Sequence, residues 1–320
     1  MKLINTCILI FFLMININAN SQPIFNDINK KNKKLFDIRI SSNINNSSMR
    51  FDKNETEILE DTLFYTDISI IDDKTDTTDY ILPYTTDFSQ QKYNIHIGYL
   101  GLENFYLYAK FPLVYTNVIE KFTKNENMPQ RLTKNEKSHI YFEGINLDAG
   151  YNFAFDKADI SFISGLFLPF GKWNVPLYLD TSQTINNKWL DLKRKYELYL
   201  GALIDIKLQS IHFNIGCSYN HRGGDFTDRL LTNFLVGLNS IENTELFAML
   251  KYNMSLGDYK EGYAISFWQY PYWSKTLELE LGFKMFFTDD FYINVGYDIL
   301  IMGKNTLATR IVNINIGYLF

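Results

Sequence analysis

The stretch LELELGFKMFFTDDFYINVGYDILI (residues 277–301) contains two segments in which apolar and polar residues alternate. Successive side chains of a β-strand point to opposite faces, so each segment predicts a strand with one apolar and one polar face. The polar turn at residues 288–290 separates the two segments and predicts an antiparallel pair.

The same alternation recurs along most of the chain from residue 93 onward. The segments run about 9 to 13 residues, which is longer than the ~5–6 of globular strands and close to the ~10 of a tilted membrane-crossing strand. One face is aliphatic and aromatic, whereas the other is rich in Gly, Asn and acidic residues. This division suits lipid on one side and a wet lumen on the other, rather than a soluble sandwich. The pattern therefore predicts an all-β chain folded as a transmembrane antiparallel β-barrel.

The connections between these strands also predict a barrel. Short turns at 156–158, 209–210, 241–243 and 288–290 alternate with longer polar loops at 114–139, 169–195, 220–229 and 302–307. Short turns at one end and long loops at the other are typical of transmembrane barrels. Six aromatic residues fall at the short-turn ends of their strands, namely Phe153, Phe155, Phe287, Phe291, Tyr318 and Phe320. They predict an interfacial girdle, which accounts for much of the 16% aromatic content.

The pattern predicts about twelve strands. Eleven are predicted at 93–100, 103–112, 140–155, 158–168, 196–208, 210–220, 230–240, 244–254, 275–287, 290–301 and 308–320. A closed bacterial barrel has an even number of strands, so one more is needed on the N-terminal side. The segment 61–71 is the candidate. A separate strand pair within 263–273 would raise the count to fourteen.

The N-terminus indicates export. Lys2 precedes an apolar stretch, residues 7–17, and small and polar residues follow it, which is the layout of a cleavable signal peptide covering residues 1–21. Residues 22–60 are polar and predict a periplasmic leader or a plug of the lumen, ahead of a barrel at 61–320. The exported chain has 30 basic and 36 acidic residues, which argues against nucleic acid as a partner. Its only cysteine is Cys217, so it forms no internal disulfide.

The last residues show alternating apolar positions that end in an aromatic residue: Val312, Ile314, Ile316, Tyr318 and Phe320. This pattern resembles the carboxyl-terminal signature of Gram-negative-type, porin-like outer-membrane β-barrel proteins. The resemblance implies an outer-membrane location and recognition by the barrel-assembly machinery. It covers about ten residues and implies a class of protein rather than an activity.

The polar faces predict a charged lumen. The predicted lumen-lining residues are Asp148, Glu197, Asp205, Lys207, His212, Glu278, Glu280, Lys284 and Asp298. An excess of carboxylates would concentrate cations, as acidic rings do in cation-selective pores. The alternative is that these charges pair across neighbouring strands and fill the interior, because twelve strands lie between the filled eight-stranded and the open sixteen-stranded cases.

Two functions follow from these predictions. One is a passive, weakly cation-preferring channel for small solutes. The other is a non-conducting surface, structural or adhesion barrel that acts through its extracellular loops, since the aromatic segment 263–273 predicts an apolar contact patch. Outer-membrane phospholipases, which are also twelve-stranded, use a His-x-Ser pairing, and no His-x-Ser pair occurs here, so an enzyme is only a minor alternative. No His, Cys and carboxylate cluster has metal-ligand spacing, and neither a metal nor a cofactor is expected. Outer-membrane lipid is the expected surrounding, and the pattern predicts no oligomeric state.

Overall fold

The computed structural model describes residues 35–48, 50–51, 57–58, 60–71, 74–102, 104–122, 134–170, 173–176, 189–192, 194–224, 227–241, 243–257, 274–304 and 306–320. The predicted signal peptide at 1–21 and the loop segment 263–273 lie outside these residues.

Twelve long strands form the wall of a barrel. They are β1 (Phe36–Ser47), β2 (Lys74–Leu102), β3 (Phe105–Phe122), β4 (Gly144–Ala154), β5 (Ala158–Pro169), β6 (Arg194–Leu208), β7 (Ile211–Gly224), β8 (Arg229–Ile241), β9 (Thr244–Ser255), β10 (Lys275–Phe286), β11 (Phe291–Lys304) and β12 (Arg310–Leu319). Each pairs antiparallel with the strands before and after it in the chain. The barrel closes where β1 pairs with β12, from Asp37 opposite Leu319 to Asn46 opposite Arg310. The predicted fold class and the count of twelve are therefore confirmed.

The origin of the twelfth strand differs from the prediction. Residues 36–47, which were predicted to belong to a polar leader, form β1 and pair with both β2 and β12. The predicted candidate, 61–71, is indeed extended, but it pairs only with 74–85, in the part of β2 farthest from the short turns. The reason is that every inward residue of β1 is polar, which makes the segment resemble a polar leader. The outward residues Phe36, Ile38 and Ile40 nevertheless alternate with the polar ones. The barrel therefore begins at residue 36 instead of 61.

The connections alternate in length as predicted. Short turns that contain Asn104, 155–157, 209–210, Asn243 and 287–290 join the strands at one end, and the start of β1 and Phe320 lie at the same end of the barrel. Asn104, Gln209 and Asn243 adopt the left-handed backbone conformation that tight turns require. The long connections lie at the opposite end, which is called the long-loop end below.

The outer face of the barrel is apolar. Large aliphatic and aromatic side chains such as Ile40, Leu147, Leu200 and Leu281 are exposed on it, while the alternate residues of the same strands point inward. All six aromatic residues of the predicted girdle are exposed at the short-turn end. Phe320 also stacks on Phe36, with the ring centroids 5.7 Å apart, across the contact where the barrel closes. In the part of the chain that is described, no helix is long and apolar enough to cross a membrane.

Aromatic rings lie over glycines of neighbouring strands on the inner face. The pairs are Tyr108 with Gly98, Tyr106 with Gly150, Tyr199 with Gly165, Phe247 with Gly282 and Tyr292 with Gly317. A Cβ atom at any of these glycines would overlap the ring. The glycines on the polar faces therefore accommodate inward aromatic rings, whereas the sequence pattern attributed them to a wet lumen.

Several strands continue beyond the barrel at the long-loop end. Residues 74–85 of β2 pair with Glu60–Ile71, the residues of β2 from Tyr84 onward pair with β3, and β3 pairs in turn with Lys134–Phe142. Together they form a four-stranded sheet, which is called the extension sheet below. The predicted loop 114–139 therefore contains strand on both sides, and its residues 123–133 lie outside the described ones.

We predict that Gly150→Ala lowers the stability of the folded barrel by about 1–3 kcal/mol, because the Tyr106 ring must move to admit the new methyl group. The measurement is the urea midpoint of the refolded protein, read by the mobility of unboiled samples on gels. In the control, Tyr106→Leu removes the ring, and Gly150→Ala should then cost much less. If Gly150→Ala lowered the stability equally in the wild type and in the Tyr106→Leu variant, the contact between Gly150 and the Tyr106 ring would be contradicted.

Candidate functional site inside the barrel

The carboxylate of Asp37 organises the interior near the short-turn end. Arg39 Nη2 donates to it over 2.6 Å, the Tyr108 hydroxyl over 2.8 Å and the Tyr292 hydroxyl over 3.4 Å. Asp37, Arg39 and Tyr292 are 0% exposed. These contacts join β1 to β3 and β11, which are two strands away on either side. This group is called the Asp37 cluster below.

An apolar layer surrounds the Asp37 cluster. Tyr106, Tyr108 and Tyr292 pack in one buried cluster with four aliphatic side chains, namely Leu100, Ile163, Leu203 and Leu319. The residues come from β2, β3, β5, β6, β11 and β12. Most of the wall near the short-turn end is therefore lined by packed side chains.

A chain of polar side chains runs along the inner wall near the middle of the barrel. His96 Nε2 lies 3.1 Å from Ser41 Oγ, and Asn94 Nδ2 donates to Ser41 over 2.9 Å and to Asn43 over 3.2 Å. Asn43 donates in turn to the side chain of Asn313. The chain thus connects β2, β1 and β12 through amides and a hydroxyl.

The same chain ends on carboxylates and a lysine. Asn313 Nδ2 donates to Asp298 over 2.7 Å and to Glu280 over 3.3 Å. Lys251 Nζ lies 2.8 Å from Glu280 and 2.9 Å from Asp298. The whole chain, which is called the polar belt below, therefore spans six adjacent strands, β9 to β12 with β1 and β2. At the end of the polar belt that contains Lys251, two carboxylates face one ammonium group, so this end carries an excess of negative charge.

All nine predicted lumen-lining residues lie on inward positions of their strands, but they fall into separate groups. Glu280 and Asp298 belong to the polar belt, and Glu278 lies one inward position from Glu280. Of the remaining six, Asp205 and Lys207 lie 3.7 Å apart, and Asp159 lies 3.0 Å from Lys207. His212 lies 3.4 Å from Glu245, and the Tyr199 hydroxyl donates to Asp148. Lys284 Nζ lies 4.7 Å from the centre of the Phe286 ring, and Glu197 is half-buried opposite Arg222.

Inward side chains are buried along much of the barrel wall. Every barrel strand except β4 supplies at least one: Tyr108, Ile163 and Leu203 in the apolar layer near the short-turn end, and Ser41, Asn94, Asn214, Leu235, Met249, Glu280, Asp298 and Asn313 farther along the strands. Side chains that point into a barrel become buried only when other side chains cover them. The ion pairs of Lys207 and Lys251 are contacts that the second alternative, a filled interior with paired charges, expects.

Inward lysines at different levels of the barrel are partly exposed. Lys207, next to the short turn at 209–210, and Lys92, toward the long-loop end, are each 30% exposed. Both are paired with carboxylates, Lys207 with Asp159 and Lys92 with Glu143. Solvent therefore reaches the inner wall from both ends.

Sequence reasoning missed the inward residues of β1 and several of their partners. Asp37, Arg39, Ser41 and Asn43 lie in the segment that was predicted to be a leader. The alternation of Phe36, Ile38 and Ile40 is the signal that would have found them. The contacts of Lys251 and Asn313 depend on strands that are far apart in the chain, and no local pattern indicates them.

One cluster lies at the long-loop end, where β7 passes into β8. Asp228 accepts hydrogen bonds from the backbone N–H of Arg222 over 2.9 Å and from the Tyr219 hydroxyl, and His221 Nδ1 lies 3.1 Å away. Partial burial alone would raise the pKa of Asp228, but the hydrogen bonds from Tyr219, Arg222 and His221 outweigh it and lower that pKa. Asp228 is therefore ionised at neutral pH and anchors the start of β8 to the end of β7.

The contact between Ser41 and His96 joins two residue types that occur in hydrolases. Both side chains are buried, and Ser41 also accepts a hydrogen bond from Asn94. The Ser41 hydroxyl is thus part of the polar belt. Within the described ranges, no group of three or more His, Cys, Asp or Glu side chains could hold a metal ion.

Solved structures share this architecture. An outer membrane channel from Pseudomonas putida F1 is 10% identical, with 90% of this chain and 96% of that chain covered and a TM-score of 0.56. The translocator domain of an autotransporter from Neisseria meningitidis is 12% identical, with 92% of each chain covered and a TM-score of 0.46. A monoaromatic hydrocarbon channel is 9% identical, with 96% and 95% covered and a TM-score of 0.45. The sequence matches no protein-family model and no curated protein. At such identities the first likeness shows the fold, which is that of an outer-membrane β-barrel.

We predict that Asp37→Ala destabilises the barrel by roughly 3–5 kcal/mol, because it leaves Arg39 as a buried charge without its carboxylate. The urea midpoint of the refolded protein measures this effect. The matched control is the double variant Asp37→Leu with Arg39→Met, which removes both charges and should retain most of the stability. A double variant as unstable as Asp37→Ala would show that packing, not the unpaired charge, causes the loss.

Proposed function

We propose that this protein is an outer-membrane channel for small solutes and that the polar belt is its closed constriction. The observation that carries the proposal is the chemistry of the belt. It consists of side-chain contacts among Asn43, Asn313, Glu280, Asp298 and Lys251. These contacts join side chains only, so the side chains can rearrange without breaking any backbone hydrogen bond of the wall.

The partly exposed lysines support this proposal. Lys207 near a short turn, Lys251 within the polar belt and Lys92 opposite Asn43 are all partly exposed, so water reaches inward charges at each of these levels. A buried ion pair is costly to desolvate, and a core made only for stability would do as well with apolar side chains. The likeness in fold to a channel from Pseudomonas putida F1 agrees with this proposal.

A weak preference for cations is part of the same proposal. Glu280 and Asp298 share the single ammonium group of Lys251, and Glu278 adds a further carboxylate on the same strand. An excess of carboxylates at this end of the polar belt favours the entry of cations over anions. Glu245 lies outside the belt, next to His212 near the short-turn end, and serves as a reference position.

The proposed location and partners follow from the outer face. The apolar exterior would contact outer-membrane lipid, with the short turns on the periplasmic side and the long-loop end outside the cell. Export through a cleavable signal peptide and recognition of the last strand by the barrel-assembly machinery are part of the proposal. Phe320 is exposed at the end of that strand, where such machinery would reach it. The proposal includes no catalytic step.

The second candidate is a non-conducting barrel that acts through its extracellular side. The observation in its favour is the extension sheet, in which β2 and β3 continue well past the barrel and gain a further strand on each side. A filled interior is also what a purely structural barrel would show. The two candidates differ in whether the refolded protein conducts.

We predict that the wild-type protein in a planar bilayer under symmetric KCl gives brief, small current steps, and that Asn313→Ala gives larger or longer ones. Asn313 is the residue that joins the amide part of the polar belt to its carboxylates. The matched control is Asn315→Ala, which removes the same volume one inward position away and should leave the current near that of the wild type. No current from either the wild type or Asn313→Ala would reject the channel and favour the second candidate.

We predict that Glu280→Gln shifts the reversal potential in a KCl gradient toward anions, because it removes a carboxylate of the constriction without changing its size. The measurement uses the Asn313→Ala background if the wild-type current is too small. Glu245→Gln should leave the reversal potential unchanged. An equal shift for both variants would mean that overall charge, rather than the polar belt, sets the preference.

A further inference from the structure

A groove runs across the outer wall of the barrel over β1 to β6. It has a volume of about 640 Å³. Its floor is formed by three small outward residues, Ala109, Ala149 and Ser164, and larger side chains such as Phe36, Leu107 and Leu200 border it. Ala149 lies directly opposite Ser164 on the neighbouring strand and opposite Leu107 on the other side. The short side chains leave a depression in an otherwise even apolar surface.

The groove is oblique to the barrel axis. Phe36 is the first residue of β1, whereas Leu200 lies eight residues before the end of β6 at Leu208. Five spacings of ~4.8 Å between neighbouring strands make it ~24 Å long. Because the strands of such barrels tilt by ~40° from the barrel axis, the groove extends ~15 Å along that axis, which is about half of a ~30 Å hydrocarbon layer. The groove therefore crosses one leaflet, starting from the aromatic girdle at the short-turn end.

The surroundings of the groove decide what can occupy it. Its rim continues into the exposed apolar face of the barrel, which includes Ile97, Leu147 and Leu198. Among its outward-facing residues only Ser164 and Tyr99 carry a polar group. The wall of a second barrel is convex and would bridge the groove, whereas a flexible hydrocarbon chain can follow its floor.

We infer that this groove binds an acyl chain of a phospholipid from the leaflet on the short-turn side. The chain lies over Ala109, Ala149 and Ser164, with its headgroup end near Phe36 and Tyr99. The inference depends on the membrane location within the proposed function and not on conduction. A barrel that conducts no current would leave it unaffected.

The test is native mass spectrometry of the full-length refolded protein in non-ionic detergent with added phosphatidylethanolamine. The wild type should retain one lipid. Ala149→Phe fills the groove and should reduce the lipid-bound fraction about tenfold, since displacing even two methylene groups has that effect. The matched control is Ala248→Phe, which adds the same ring to an outward alanine of β9, away from the groove, and should retain the lipid. Equal retention in all three proteins would overturn the inference.

Two further measurements keep the test decisive. If unboiled gels show that Ala149→Phe does not fold, Ala109→Leu takes its place as a smaller filling of the same floor. In the wild type, a phosphatidylcholine with a photoreactive acyl chain in nanodiscs should label β3 to β5 around the groove more than β9 around Ala248. Even labelling of both walls would contradict a site. A dimer that Ala149→Phe dissociates would show that a second copy occupies the groove instead.

Discussion

The pairing of β1 with both β2 and β12 is the constraint on which the rest of the structure depends. A sheet that faces lipid cannot leave backbone N–H and C=O groups unpaired, because no water is present to satisfy them. Only closure removes both edges, and here one twelve-residue strand provides it. The inward side chains of that strand, from Asp37 to Asn43, must then find polar partners within the barrel. They find them in the Asp37 cluster and the polar belt.

The filling of the interior follows from the same geometry. A twelve-stranded barrel is wider than the eight-stranded barrels that side chains fill easily. In this chain, long inward residues such as Tyr108, Tyr292 and Lys251 reach toward neighbouring strands, and glycines such as Gly317 make room for them. The charges are mostly compensated in pairs, which keeps the cost of their burial low. The result is an interior with many buried inward side chains and a few partly exposed lysines.

The outer wall is not uniform, and its two special regions have opposite shapes. The girdle places large rings such as Phe287, Tyr318 and Phe320 at the short-turn end, where their size and partial polarity suit the membrane interface. The floor of the groove consists of small outward residues, whereas the outward side chains around it are large. Both features arise from outward positions alone, so they leave the polar belt and its proposed role in conduction unaffected.

Local alternation in the sequence determined the fold class, the positions of eleven strands, the ends at which the short turns lie and the inward direction of residues such as Glu280 and Asp298. Period-two patterning is a local property, so a single sequence is enough to show it. Only the tertiary structure decided that residues 36–47 close the barrel, that 60–71 belongs to the extension sheet and that the polar belt joins Asn43 to Lys251 across six strands. These features depend on pairing between segments that are distant in the chain. The strand count could be predicted, but the partner of each inward side chain is set by register and closure, which no local pattern encodes.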